Sequence, residues 1–226
     1  MAQDKALVLS SGGVDSTTLL ALACEKYGRE NVTALSIFYG QKHSKELEAA
    51  AKTAEYYGVE HITLDLSAIF GWSDCSLLKG STQEIPHETY SEQLENNGGG
   101  VLSTCVPFRN GLFLSAAASI ALSKDCTVLM YGAHSDDAAG NAYPDCSEAF
   151  VKAMDNAIRE GSGGILQISA PFVGMNKAAV VAEGKRLGVP YELTWSCYEG
   201  GDTPCGECGT CRDRREAFLA NGIDLS

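Results

Sequence analysis

The chain opens with Ala6-Leu7-Val8-Leu9, an unbroken apolar run closed by a polar turn, and then sets Leu19, Leu20, Leu22 and Ala23 at helical spacing. A short apolar run between turn residues reads as a strand buried on both faces, and the spacing after it predicts a helix over 18–27. The alternation repeats. Residues 32–39 have strand composition and end at Gly40, and residues 62–66 supply a third strand. Between them Leu47, Ala50, Ala51, Ala54 and Tyr57 form one stripe of a helix over 43–57 that Gly58 stops. From 67 to 104 the period is lost among Gly71, Gly80, Pro86 and Asn96-Asn97-Gly98-Gly99-Gly100. A stretch this long without a period reads as a flexible flap beside a site, partly helical over 91–95. Order resumes with a nearly all-apolar helix over 111–123, a strand over 128–131 and a polar loop over 134–145. A helix over 147–159, a strand over 166–170 and a helix over 177–187 follow, the last with Asn176 as N-cap and Gly188 and Pro190 behind it. Five strands alternating with helices predict one α/β domain over 1–226 on a doubly wound parallel sheet, with ligand bound beyond the strands' carboxyl ends.

That rule puts the first turn, Ser10-Ser11-Gly12-Gly13-Val14-Asp15-Ser16-Thr17, at the site. Glycines let backbone N–H groups approach an anion closely, and the helix start adds unpaired donors at a positive dipole end. The turn is a phosphate cradle, but no Gly-Lys-Ser/Thr follows it, so it is not a Walker loop. Arg109 at the entrance of the buried helix and Lys177 after Asn176 stand where a helix normally disfavours cations. On the same sheet edge as the loop they suit a polyphosphate; the alternative is that each side chain reaches into solvent. Asp15 is a candidate ligand for Mg²⁺, a hard cation that prefers carboxylate and phosphate oxygens.

With 226 residues, 45% of them hydrophobic, the chain can bury a substantial core, and its net charge of −12 argues against broad binding to nucleic acid. The amino terminus lacks the pattern of a signal peptide and no apolar run reaches membrane-spanning length, so the expected compartment is the cytoplasm. The nine cysteines then read as reduced thiols and metal ligands. Cys197, Cys205, Cys208 and Cys211, in a glycine-rich tail over 196–226, have the spacing for tetrahedral zinc, with an iron–sulfur cluster as the rival. Four filled positions leave none open for substrate, so the expected role is structural. Cys24, Cys75, Cys105, Cys126 and Cys146 are scattered and read as small buried residues.

The first turn resembles the pyrophosphate-binding loop of the PP-loop ATP pyrophosphatases, which transfer AMP from ATP to an oxygen. Together with Gly40-Gln41-Lys42-His43, Val106-Pro107-x-Arg109-Asn110, Tyr143-Pro144-Asp145-Cys146 and the cysteine tail, it resembles, in order and over nearly the whole chain, the 7-cyano-7-deazaguanine synthases of the queuosine pathway. The resemblance implies a Rossmann-like sheet of the PP-loop type. It also implies that ATP is bound by Ser10, Ser11, Gly12, Gly13, Val14, Asp15, Ser16, Thr17, Thr18, Leu19 and Leu20, with Asp15, Ser16, Arg109 and Lys177 catalytic. The implied substrates are 7-carboxy-7-deazaguanine, ammonia and ATP, with Mg²⁺ accompanying ATP, zinc in the tail and a homodimer as the assembly. No membrane or nucleic-acid partner is expected.

His43, Asn110, Asp137, Tyr143 and Asp145 are the candidate substrate-binding residues. A guanine-like base offers adjacent N–H donors that suit a carboxylate, so Asp136, Asp137 or Asp145 could read it, or could instead cap turns and helices. His43 either acts near the phosphates or caps the second helix. Phe108 stands where the family pattern has glycine, and the loop over 134–142 is longer and more acidic than usual, which bears on substrate detail. Three other functions fit parts of the pattern: a transfer-RNA-modifying relative, an amide-forming or acyl-transferring relative, and a zinc-stabilised module that binds ATP without turnover.

Overall fold

The computed structural model describes residues 3–88, 90–96, 98 and 101–224. The predicted alternation is present: β1 (Ala6–Leu9), α1 (Val14–Tyr27), β2 (Val32–Phe38), α2 (Lys45–Tyr57), β3 (Glu60–Asp65), the short α3 (Ser67–Phe70) and α4 (Tyr90–Asn96). Then come α5 (Arg109–Ser123), β4 (Val128–Met130), the single turn α6 (Ser135–Ala138), α7 (Glu148–Gly161), β5 (Gln167–Ser169), α8 (Lys177–Leu187) and α9 (Gly209–Ala220). The strands form one five-stranded sheet in the order β3-β2-β1-β4-β5, and every pairing is parallel. The order reverses between β1 and β4, which places the ligand crevice beyond their carboxyl ends.

β1 shows why a continuous apolar run is needed at the centre. Ala6 and Val8 face one layer with Leu19, Leu20, Val180, Val181 and Phe218, while Leu7 faces the other with Leu114, Leu129 and Leu166. Side chains alternate along a strand, so a strand covered on both faces must be apolar at every position. α1, α2 and α8 cover the first face and α5 and α7 the second, and both layers are fully buried at their centres.

Several boundaries move. α1 starts at Val14 rather than at 18, so half of the expected loop is its first turn: Gly13 is the N-cap and Thr17 N–H already donates to Gly13 O. α9 carries little helical signal in the sequence. Its twelve residues are rich in charge and carry no strong apolar stripe, so only tertiary contact holds them helical: Ala217 and Phe218 pack on the core, and Arg214 donates to Tyr191 O at 2.9 Å and to Thr194 Oγ1 at 2.7 Å. Within the stretch expected as a flap, Phe70, Cys75, Leu77 and Leu78 form a separate apolar cluster with Tyr39 and Val106. The helix expected over 91–95 lies within α4. Residues 89, 97, 99 and 100 of that stretch fall outside the described residues.

Candidate active site

With β1 ending at Leu9 and α1 beginning at Val14, Ser10 to Gly13 make the whole connection. Gly12 has φ +80°, and a Cβ there would run into the backbone of Glu46 and Ala50 in α2. Both conformation and space therefore require glycine. The Gly12 carbonyl accepts from Trp195 N–H at 2.9 Å, so the start of the cysteine tail lies against the same loop. Ser16 ties the turn shut: its Oγ accepts from Ser11 N–H at 3.1 Å and lies 3.0 Å from Ser11 Oγ. No side chain caps α1, which leaves its first-turn amides and positive dipole end for an anion.

Beside this cradle stand four titratable groups. Lys177 Nζ donates to Asp15 Oδ2 at 2.9 Å, and His134 Nε2 lies 3.6 Å from the same oxygen and 3.3 Å from Asp137 Oδ2. Lys177 is delivered by the start of α8, where Asn176 Oδ1 accepts from Ala179 N–H and Asp136 Oδ2 from Lys177 N–H. Burial opposes the ionisation of Asp15, but Lys177 and His134 outweigh it and hold the carboxyl well below the usual range. Burial likewise works against the charged forms of Lys177 and His134, yet Asp15 and Asp137 lift both above their ordinary values. Asp137 is pushed up by burial. Asp15 Oδ1 is buried without a partner, as are Ser10 Oγ and Thr17 Oγ1.

The other end of the cleft is built at the start of α5. Arg109 lies over the Tyr39 ring, 5.5 Å from its centroid, a cation–π contact made in a desolvated place. Burial works against its charge, but Tyr39, Tyr198 and Asp145 raise its pKa further. Asp145 Oδ2 accepts from Asn110 N–H at 2.8 Å, which satisfies a free donor of α5. Tyr143 is fixed by a 2.6 Å hydrogen bond with Thr104 Oγ1. Across from Arg109 stands Glu46, in the first turn of α2, its carboxyl pushed up to about 7 by burial against the opposing pull of Arg109.

Asp15, Glu46, Arg109, Asp137, Tyr143 and Lys177 line a cleft of about 240 Å³, with His134 and Asp145 behind its wall. Of the expected residues, Ser10, Ser11, Gly13, Val14, Asp15, Ser16, Arg109, Asn110, Asp137, Tyr143 and Lys177 line it. The rest of the set does not. Gly12 faces α2, and Thr17, Thr18, Leu19 and Leu20 are buried in α1, with Thr18 Oγ1 bonded to Val14 O at 2.9 Å and lying 3.0 Å from Tyr191 Oη. Their work is to seat the helix that carries the cradle. Asp136 and Asp145 cap α8 and α5, which leaves Asp137 as the loop carboxylate on the cleft. His43 neither lines the main cleft nor caps α2; its ring lies against Trp195 and Gly200. Phe108 does sit where glycine is favoured, at φ 52°, but it is 63% exposed and packs on Phe150, so its ring stays out of the cleft. Sequence reasoning missed Glu46 and His134. Glu46 reads as one more polar position on an amphipathic helix, and His134 becomes a site residue only once β4 ends next to α1.

The four tail cysteines converge, with all their sulfurs within 4.8 Å of one another. A tetrahedral zinc with ~2.3 Å bonds needs sulfurs about 3.8 Å apart, so the donor set fits that ion. Cys205 N–H donates to Cys197 Sγ and Cys208 N–H to Cys205 Sγ, both at 3.3 Å. The same tail supplies Trp195, Ser196, Tyr198 and Thr210 to the cleft wall.

The family model described as "Queuosine biosynthesis protein QueC" matches residues 5–222. The chain belongs to the QueC family. It is 47% identical over 220 residues to the 7-cyano-7-deazaguanine synthase of Archaeoglobus fulgidus, covering 97% of this chain and 87% of the relative. It is 40% identical to the enzyme of the same name from Marinobacter nauticus, covering 97% and 95%. Among solved structures it resembles the U34-tRNA thiolase NcsA from Methanococcus maripaludis with its [4Fe-4S] cluster (TM-score 0.52, 14% identity, covering 98% of this chain and 67% of that one). NMN synthetase from Francisella tularensis is also similar (TM-score 0.51, 15% identity, covering 100% and 79%). At those identities the likeness shows the fold alone. Family membership makes the chain an enzyme of the PP-loop type, and among the described residues no helix is long and apolar enough to cross a membrane.

Proposed function

We propose that the protein converts 7-carboxy-7-deazaguanine, ammonia and ATP into 7-cyano-7-deazaguanine through an amide, releasing AMP and pyrophosphate. One observation carries this reading: the loop after β1, the Asp15–Lys177 pair and Arg109 meet in a single cleft, in a chain whose relatives bear that enzyme's name. Ser10 to Ser16 bind the pyrophosphate end of ATP through backbone donors, and Lys177 stabilises charge that develops as pyrophosphate leaves. Asp15 holds Lys177 in place, and its second oxygen, buried and unpaired, fits the Mg²⁺ that would accompany ATP and neutralise its phosphates. The substrate carboxylate attacks the α-phosphorus and forms an acyl adenylate. Ammonia then displaces AMP and leaves the amide. A second adenylation, now on the amide oxygen, followed by loss of a proton and AMP, leaves the nitrile. Arg109 stabilises the negative oxygen of these steps, and Asn110, Asp137 and Tyr143 hold the base. Cys197, Cys205, Cys208 and Cys211 hold one structural Zn²⁺. The active form is a homodimer, for which Trp72, 97% exposed, and the neighbouring exposed Ile69 are the proposed contact.

The test is incubation with 7-carboxy-7-deazaguanine, ATP, Mg²⁺ and ammonium, read by mass spectrometry. The nitrile should form with AMP and pyrophosphate, and Lys177→Ala should lose about 2–4 kcal/mol of transition-state stabilisation in kcat/KM. ADP as the only nucleotide product would overturn the adenylation chemistry.

A further inference from the structure

Beside the cleft lies a second, much smaller cavity of about 10 Å³. That is the space of one water-sized molecule. Its wall is formed by Tyr39, Gln41, Lys42, His43, Glu46, Leu77 and Tyr198, and four of these, Tyr39, Gln41, Glu46 and Tyr198, also line the main cleft. The two spaces therefore share a wall, and Glu46 is its carboxylate. The His43 ring, which meets the backbone of Cys197 and Tyr198, keeps its Nδ1 buried in the same region. Gln41 is held still by its own backbone contact, its Oε1 accepting from Tyr39 N–H at 2.8 Å.

We propose that this side cavity is the ammonium site and that Glu46 is the base that converts ammonium to the ammonia used in the cleft. The inference rests on the reaction proposed above, in which ammonia attacks an acyl adenylate. At neutral pH nearly all of the nitrogen source is ammonium, which has no lone pair to attack with. A cavity of one-molecule size lined by a carboxylate, two phenols and an imidazole offers oxygen and nitrogen acceptors to a four-donor cation. The step balances: the ammonium proton passes to a Glu46 carboxylate oxygen, neutral ammonia crosses the shared wall, its lone pair forms the C–N bond, and AMP leaves with the bonding pair. The protonated amine of the adduct then loses a proton to solvent. The groups facing Glu46 are Arg109 from α5, Tyr39 from the end of β2, Lys42 and His43 from the turn before α2, and Tyr198 from the tail. Lys42 is drawn aside by a 3.2 Å hydrogen bond to the Gln83 carbonyl. The position of the Glu46 carboxyl near neutrality, pushed up by burial, suits a proton acceptor.

The test separates the nucleophile from the rest of the reaction. Adenylation is read by exchange of labelled pyrophosphate into ATP in the presence of 7-carboxy-7-deazaguanine and without any amine. Amide formation is read with ammonium, and hydroxamate formation with hydroxylamine, which is largely neutral at pH 7.5 and needs no base. Glu46→Gln should keep exchange within about threefold of wild type, lose on the order of 100-fold in kcat/KM for ammonium and lose little with hydroxylamine. Glu46→Asp, which keeps the charge but withdraws it from the cavity, should show a smaller drop confined to ammonium, and guards against a Gln variant that fails to fold. Equal losses with both nucleophiles, or loss of exchange in a folded variant, would overturn the assignment. Absence of exchange in the wild-type protein would instead refute the adenylation chemistry, and this site with it.

Discussion

At the residue scale the centre of the molecule is Asp15. It sits in the first turn of α1, pairs with Lys177 across 162 positions of sequence and still keeps one oxygen unpaired. A pair this far withdrawn from solvent is costly to break from one side, because the partner is left charged and unsatisfied. The native carboxyl ionises more readily than an unfolded one, so its contribution to stability is present above the unfolded pKa of about 4 and disappears as the pH falls through the lower native value. Asp15→Asn should therefore lower stability near pH 7 by about 1–3 kcal/mol, and the gap to wild type should narrow below about pH 4. Urea midpoints measured across that range check it; a gap that does not depend on pH would mean that the loss is one of packing. His134 has the opposite sign, since its raised pKa adds stability below its unfolded value that is lost as the pH rises through the native one.

At the element scale the tail does more than tie down the carboxyl end. Cys208 is the N-cap of α9, Trp195 N–H holds the Gly12 carbonyl, and Tyr198 and Thr210 stand on the cleft wall. The stretch between Cys197 and Cys211 has little apolar content of its own, so the proposed metal would supply much of its order. Cys205→Ser should therefore lower metal content, thermal stability and ATP affinity together, because one wall of the cleft and the brace behind Gly12 loosen at once. Elemental analysis of protein purified without added metal, with its visible spectrum, identifies the ion. Iron with sulfide absorbance would replace zinc by a cluster, and a metal-free sample that is fully folded and active would refute the structural role.

At the scale of the whole molecule, the topology brings six separate stretches to one edge of the sheet: the starts of α1, α2, α5 and α8, the segment after β4 that carries Asp137 and Tyr143, and the tail. The opposite question is what covers Trp72 and Ile69, apolar side chains left in water next to the cluster of Phe70, Leu77 and Leu78. Sedimentation equilibrium should give twice the chain mass, and Trp72→Asp should shift it toward the monomer; a wild-type monomer would remove the proposed dimer. Much of the architecture was legible in the chain alone, because a doubly covered strand such as β1 tolerates only apolar residues and because glycine at position 12 reports a backbone that no other residue fits. The cysteine set was legible for the same kind of reason, since metal ligands need particular residue types at short spacing. What local pattern could not carry were relations between distant segments. α9 is helical because Arg214 and Phe218 find partners on other elements. Asp137 rather than Asp145 faces the cleft because Asp145 is taken by the start of α5, and Glu46 became part of the site only when Gly12 let α2 close onto the loop. Residue type and spacing decided the sheet, the turn after β1 and the cysteine cluster; which polar side chains face the cleft was decided by packing, because only the tertiary arrangement fixes which of them point at a shared space.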